Sequence, residues 1–409
     1  MADLTGDLLE LAIGWRAGTG IAAGPLVRGL GDPGVAQWSA SYRLSRSDTP
    51  CGGAGWTDSQ ARRAAIGELL ERVGAAVHPL PDVPRDRIPA GERVADSAAF
   101  HLHTPAQQAA PGFPWPATYA SDRFVRFFDL ADNSAVWVPN VLVTSDPARH
   151  SLATSSGLAA APGTMAALLR AVEELIERDA LMTTWLFGVA ARRVTPPATV
   201  AEMAASLAAE VTVFDLTPAY SPHPVAAVAG SAPLAGRPRN GVGVACRASW
   251  AAAVDKALLE WAQAITFTGI TTAGDPPGLR PDPGTVTSFD DHARFYTRRP
   301  DQWAALPWWT GPRVEPPPDA HGGTDAHQLA HLVAHLCRHR IEMFYRDLST
   351  VDTTACGVRV VRVVSPHTAL IHGDHRWPFL SLDIDRAQRL YPGLPVRTGF
   401  PSPFPHPLG

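Results

Sequence analysis

Residues 154–185 read TSSGLAAAPGTMAALLRAVEELIERDALMTTW. The small residues up to Gly163 suit a loop, and the apolar positions after them recur at helical spacing. The stretch therefore predicts a loop opening directly onto a helix over 164–188, capped by Thr164. Such a loop suits anions, because free N–H groups and the helix dipole point at it. On the helix, Glu174 and Glu177 stand three residues apart on one face, with Arg178 next to them. Two ionised carboxylates at that spacing repel by a few tenths of a kcal/mol at a wet surface, and by more where water is excluded. A solvated helix face would explain one such pair.

Two further helices repeat the arrangement. The first, expected over 58–77 with Thr57 or Asp58 as cap, places Glu68 and Glu71 three apart. The other, expected over 249–267 with Ser249 as cap, does the same with Glu260 and Gln263. A second small-residue loop, 51–57, precedes the first of these helices. A cleft shared by Glu68, Glu71, Glu174, Glu177 and Glu260 would bind hard divalent cations through oxygen, and those cations could hold a nucleotide polyphosphate. Neither a Gly-x-x-x-x-Gly-Lys-Ser/Thr loop nor a Gly-x-Gly-x-x-Gly turn before a helix occurs.

Composition narrows the classes. The chain has 409 residues, of which 45% are hydrophobic and 18% charged, which is globular composition rather than disorder. The net charge of -4 gives no electrostatic excess for nucleic acid as a main partner. No apolar run reaches membrane-span length, and the first residues carry acidic groups where a signal peptide would be positive, so a cytoplasmic protein with no membrane association is expected. Cys51, Cys246, Cys337 and Cys356 are widely spaced, which argues for reduced thiols rather than a zinc ribbon or disulfide framework. Lys256 is the only lysine, so phosphate contacts would fall to Arg, backbone N–H groups or metal ions.

Strands are expected at 135–143, 210–216, 241–246 and 358–364. Interleaved with the helices, they predict an α/β (α+β) fold of mixed sheets packed with helices in a single large domain. Residues 1–45 read as an N-terminal lead-in segment, a helix over 4–15 followed by strand-like 37–44, ahead of a domain over 46–409. Residues 78–120 and 273–320 read as long surface excursions rich in Pro, Gly and Asp.

The stretches 52–75 (GGAGWTDSQARRAAIGELLERVGA), 154–185, 241–263, 351–366 (VDTTACGVRVVRVVSP) and 400–409 (FPSPFPHPLG) together resemble the YcaO superfamily. Within it they resemble the azoline-forming cyclodehydratases (D-protein type) of ribosomally made, thiazole/oxazole-modified peptides such as microcins. The Glu-x-x-Glu-Arg-Asp run of the second stretch is the most specific, and order and spacing support the rest. The resemblance implies a YcaO-like fold and an ATP site built from Ser155, Glu68, Glu71, Glu174, Glu177, Arg178, Glu260 and Gln263. Of these, Glu68, Glu71, Glu174 and Glu177 would hold Mg2+. It also implies that a Pro-x-Pro-x-Pro tail, here Pro401, Pro403 and Pro405, reaches the active site. A stiff polyproline segment would hold its end there at low entropic cost.

The implied reaction is ATP-dependent cyclodehydration of Cys, Ser or Thr in a precursor peptide, as in antibiotic or bacteriocin biosynthesis. The implied partners are that peptide, a separate ThiF-like (E1-like) leader-binding protein and a flavin-dependent azoline dehydrogenase. A homodimer is left open. Alternatives are thioamide or macroamidine formation by the same phosphorylation chemistry, and a non-catalytic scaffold. Departures from the family pattern feed the last: Ala54, Ala64, Ser156, Pro162, Ala166 and Ile265 stand where Lys, Ser, Asn, Asn, Glu and Arg are common.

His327, His331, His335 and His339 recur every four residues. Each such step drifts about 40° on a 3.6-residue helix, so one ion cannot see all four. The stripe is expected to be a solvated or partner-facing surface that responds to pH between about 5 and 7.

Overall fold

The computed structural model describes residues 22–25, 35–43, 48–77, 80–119, 122–143, 152–234, 236–276, 278–320, 322–355 and 357–409. The expected helix over 4–15 and Cys356 lie outside them. Five longer helices organise the fold: α1 (Asp58–Val77), α2 (Thr164–Leu186), α3 (Trp250–Thr271), α4 (Phe289–Arg298) and α5 (Asp325–Arg338). They pack with three sheets, giving the mixed α/β architecture expected.

The first sheet is antiparallel and joins Ala22–Pro25, Ala36–Arg43 and Asp48–Gly55. The second runs in the order Arg93–Val94, Ala135–Pro139, Arg123–Asp129, Phe344–Asp347, Val358–Val364, Leu158–Pro162, and Asp82–Pro84 pairs with its Arg123–Asp129 strand. The third runs Arg237–Cys246, Val225–Leu234, Glu210–Asp215, Arg192–Val194, Arg313–Val314.

Helix α2 lies between the second and third sheets. Val361 and Val363 pack on it from one side, Ala227 and Val244 from the other, in one continuous core. That is why its apolar residues are buried nearly all round instead of forming one stripe. The long hairpin of the third sheet is covered on both faces, and strand alternation divides its side chains. Val225, Ala227 and Ala229 face the α2 core, whereas Ala226 and Val228 face the α3 core.

Several expectations are corrected. Residues 51–55 and 158–162 are strands, not loops: the first pairs with Ala36–Arg43 and the second with Val358–Val364, so tertiary pairing overrides the small-residue composition. Gly163, not Thr164, is the N-cap of α2, with φ of 90°. An L side chain would be strained in that turn from strand into helix. Thr57 does cap α1, its Oγ1 accepting from the Gln60 N–H at 3.2 Å, and Ser249 caps α3 by accepting from the Ala252 N–H. The 135–143 strand stops at Pro139, after which Asn140–Leu142 form a 3-10 turn.

The two excursions are not simply surface. Residues 273–320 carry α4, which turns His292, Phe295 and Tyr296 into the interior. Residues 78–120 bury Phe100, Leu102 and His103, the last stacked on Trp115.

Glycines set the helix-to-sheet distance. A Cβ on Gly243 would collide with the Ala257 carbonyl and the Trp261 amide of α3, and one on Gly53 would collide with α1 backbone at Ala61 and Ala65. Gly243→Ala should therefore overpack that contact, lowering stability by about 1–3 kcal/mol. A urea melt should show a reduced midpoint with an unchanged slope.

Candidate functional site

The sheets and helices bring the acidic helix faces together. On α1, Glu68 Oε2 accepts from the Gly52 N–H at 2.8 Å and Glu71 Oε1 accepts from the Ala160 N–H at 2.9 Å, so each carboxylate is held by a neighbouring strand. Arg72 pairs with Glu68 at 2.9 Å. On α2, the Gly157 backbone N–H acts on Glu174 and favours its charged form, with the half-buried Ser155 turn two residues before it. Arg178 lies 3.8 Å from Glu174 and 3.5 Å from Glu177. Both are ion pairs without a hydrogen bond, and the buried Arg178 Nε has no hydrogen-bond partner. On α3, Glu260 pairs with Lys256 at 3.0 Å, and the Gln263 amide fills the space over Gly52.

The charges act on one another across the three helices. Burial, then the charge of Glu174, pushes Glu71 up to about 8. Burial, then Glu260, pushes Glu177 up to about 8. Burial and Glu260 also raise Glu174, against the lowering influence of Arg178. Glu260 goes the other way: its burial is outweighed by Lys256 and Arg178. Glu68, Glu174 and Glu260 remain between 24 and 31% exposed, so the group can be reached from solvent. An all-oxygen donor set, mutual repulsion and an orphaned guanidinium nitrogen fit a hard divalent cation carrying a polyanion.

Three basic residues in or beside the site escaped the sequence reading. Arg247, directly after the Arg237–Cys246 strand, lies 3.5 Å from Glu173 and its charge acts on Glu177 and Glu260. Glu173 is itself buried, with Arg170 at 2.6 Å and His223 at 3.0 Å. Arg362 is buried beneath the Ser155 turn and donates to the carbonyls of Thr154 (2.9 Å) and Leu142 (3.1 Å), with Glu174 near enough to act on it. Its signal was present as a charge inside the Val-rich run 358–364. Arg170 stands one turn before Glu174 on the same helix, a spacing that alone says nothing about its partner.

The Pro-rich tail is docked elsewhere on α2. Ser402 N–H donates to the Leu186 carbonyl at 2.7 Å, Trp185 Nε1 donates to the Phe404 carbonyl at 2.8 Å, and Tyr296 donates to the Pro405 carbonyl at 2.5 Å. Pro405 is buried, whereas Pro401 and Pro403 are exposed. From Glu177 to Trp185 the helix rises about 12 Å, so the tail and the glutamates sit at different levels of one helix.

The departures fall in different places. Ile265 packs in the α3 core and Ala54 is buried, whereas Pro162 is exposed. Cys51 and Cys246 are buried and not joined in a disulfide, and Cys337 is exposed. Burial, then Glu68, pushes Cys51 up to about 12, so it stays a thiol. On α5 the stripe residues His327, His331 and His335 lie outside the buried Leu329, Leu332 and Leu336 seam, with His339 at the C-cap.

A family model described as YcaO cyclodehydratase, ATP and Mg2+-binding, matches residues 52–369. No curated protein matches the chain. Among solved structures, a heterocyclase in complex with substrate and cofactor is similar at TM-score 0.68 and 16% identity, over 96% of this chain and 57% of that one. The chain thus spans little more than half the length of that heterocyclase. YcaO from Methanopyrus kandleri bound with AMPPCP and Mg2+ is similar at 0.65 and 18%, over 88% and 89% of the two chains. The E. coli microcin synthetase McbBCD complex gives 0.58 and 15%, over 85% and 88%. At these identities the likeness speaks for the fold.

The carboxyl shifts carry a sign. A carboxyl held near 8 in the folded chain and near 4.5 in the unfolded one binds its proton more tightly when folded. Its contribution to stability is therefore present at low pH and is lost as pH rises through 8. Buried His292, lowered to about 4 by burial, acts oppositely but has finished titrating below about 6.5. Between pH 7 and 8.5 in chelator, the melting temperature should fall, and a Glu71→Gln/Glu177→Gln variant should give a flatter profile.

Proposed function

Because the chain belongs to the YcaO family of ATP- and Mg2+-binding cyclodehydratases, we propose that it closes azoline rings in a ribosomally made precursor peptide. In the proposed reaction a Cys, Ser or Thr side chain attacks the carbonyl carbon of the preceding amide. The oxyanion so formed takes the γ-phosphoryl group of ATP, and phosphate leaves with the former amide oxygen. A thiazoline or oxazoline and ADP remain, and the peptide has lost one water.

The observation that supports this reading is the convergence of Glu68, Glu71, Glu174, Glu177 and Glu260 from three helices, where burial first and then the neighbouring carboxylates raise Glu71 and Glu177. Magnesium, when bound, would supply the positive charge that lets these carboxylates face a triphosphate. Glu68, Glu71, Glu174 and Glu177 would hold it. Arg178 orders Glu174 and Glu177 and retains an unpartnered donor for the anion. The Ser155 turn, beside the Gly157 N–H that acts on Glu174, and Gln263 over Gly52 complete the nucleotide side. No covalent nucleophile is required. Positioning and charge neutralisation carry the rate.

Pro401, Pro403 and Pro405 are assigned to the peptide side, where their docking on the end of α2 favours azoline formation over thioamide or macroamidine chemistry. We take 46–409 as the catalytic unit and 1–45 as its lead-in. The proposed partners are the precursor peptide, a ThiF-like (E1-like) leader-binding protein and a flavin-dependent azoline dehydrogenase. In keeping with a multi-protein setting, one structural neighbour is the McbBCD complex with pro-MccB17 bound. Among the described residues, no helix is long and apolar enough to cross a membrane.

The test supplies the purified chain, its leader-binding partner, ATP and a Cys/Ser-containing precursor, following phosphate release and loss of one water mass per ring. Glu174→Ala and Glu177→Ala should each slow ring formation by about 100-fold or more. Full activity in both would remove the carboxylate assignment. Phosphate-silent wild type that still binds the peptide would favour the scaffold reading.

A further inference from the structure

Outside the glutamate cleft, one buried charge lacks a counter-charge. Arg362 belongs to the Val358–Val364 strand and is 2% exposed. Its Nη2 donates to the carbonyls of Thr154 at 2.9 Å and Leu142 at 3.1 Å. The other two guanidinium nitrogens, Nε and Nη1, are buried and have no hydrogen-bond partner. Among the described residues no carboxylate forms an ion pair with it. Glu174 is the acidic group whose charge acts on it, and Glu174 already stands 3.8 Å from Arg178. Burial, with Arg72 adding to it and Glu174 opposing, lowers Arg362 to about 10, so it keeps its charge at neutral pH. Arginine is almost never fully buried unless paired.

The space beside it shows what kind of group is missing. A cavity of about 20 Å³ is lined by Arg362, by the hydroxyl-bearing Thr154, Ser156 and Ser365, and otherwise by apolar side chains such as Leu142 and Leu175. No acidic side chain lines it. Ser365 Oγ is already spent on the Glu342 carbonyl at 2.7 Å. Thr154 Oγ1 accepts from the Ser156 N–H at 3.2 Å, which leaves its own proton to donate. Buried Ser156 makes no side-chain hydrogen bond among the described residues. The lining thus offers hydroxyl donors and one positive charge, in a volume that admits a water-sized guest and excludes an organic ion. A water would satisfy an N–H and leave the charge uncompensated, whereas a small anion would do both.

We propose that this cavity binds a single monoatomic anion, chloride in the cell, held by the Arg362 guanidinium and the hydroxyls of Thr154 and Ser156. One unpartnered N–H of Arg362 meets the ion, whose charge offsets the whole guanidinium. Thr154 and Ser156 flank Ser155, so the anion braces the turn that carries it. The site differs from the glutamate cleft in the sign of the ligand it takes, and it stands whether or not the chain hydrolyses ATP.

The experiment takes the full-length chain into gluconate, an anion too large for the cavity, and replaces it by chloride or bromide at constant ionic strength, which holds the screening of surface charges fixed. The melting temperature should rise by about 2–4 °C and level off, as a single saturable site requires. Crystals soaked in bromide should show an anomalous peak between Arg362 and residues 154–156. Arg362→Met, of similar bulk without the charge, should lose the saturable rise. Arg340→Met, which removes an exposed arginine, should keep it. If wild type melts identically in gluconate and chloride, the cavity holds water and the proposal fails. It fails equally if Arg362→Met retains the rise, if the bromide peak lies elsewhere, or if bromide appears in crystals without a saturable rise in solution, which marks an adventitious ion only. A saturating wild-type rise together with the peak at Arg362 supports the site even where the methionine variant folds poorly.

Discussion

The constraint on which the rest depends is like-charge confinement: carboxylates from three helices are held near one another in partial burial. For two like charges about 6 Å apart at an effective dielectric constant near 20, the repulsion is roughly 3 kcal/mol, a large share of the 5–15 kcal/mol by which a domain is stable. The protein meets it in two ways. Glu71 and Glu177 shift toward the neutral form, and Arg72, Arg178 and Lys256 each sit against a charged neighbour. Both are partial remedies, since Arg178 reaches its two partners only at ion-pair distance. In the proposed reading a polyvalent cation is the remaining remedy: a site that holds excess negative charge until metal and polyanion arrive together would need no lysine-bearing phosphate loop.

Such a site requires a rigid frame, and α2 supplies it. Covered by two sheets, it cannot rotate its acidic face outward without exposing the opposite, equally apolar side. A second lock lies one turn beyond the cleft. Asp179, fully buried, accepts from the Ala369 N–H at 2.6 Å and from Tyr220 at 2.7 Å and pairs with Arg386. Of the Glu-Glu-x-x-Glu-Arg-Asp run, Glu173 and Asp179 thus serve the frame, while Glu174, Glu177 and Arg178 serve the cleft.

That division explains what could and could not be read from the sequence. The three acidic helices, the Val358–Val364 strand and the Ser249 cap depend on local periodicity and short-range hydrogen bonds, which a sequence displays. The strands at 51–55 and 158–162 do not. Their small residues hold no strand preference of their own and are drafted by partners far along the chain. Helix α4 was obscured by the Pro and Asp around it, although Ser288 and Asp291 form its cap. Arg247 became visible only when the fold placed a carboxylate beside it, whereas Arg362 showed as a charge inside a Val-rich strand whose partners only the fold revealed. The histidines show the same contrast: the regular stripe on α5 drew notice and lies on the surface, whereas His292, His372 and His406, buried against one another, come from three unrelated segments.

The tail raises the last point. Its backbone carbonyls at Phe404, Pro405 and His406 accept from Trp185, Tyr296 and His292, so it is bound chiefly through main-chain oxygens. Prolines cannot donate, and a segment rich in them presents acceptors without the competing N–H groups that would need partners of their own. Docking it therefore requires donors projecting from the frame, and the three that do so arise from α2 and α4. Since α2 also carries Glu174 and Glu177, the tail and the acidic cleft share one rigid element. Any shift of the tail then reaches the helix through Trp185 and through the Leu186 carbonyl, which accepts from the Ser402 N–H.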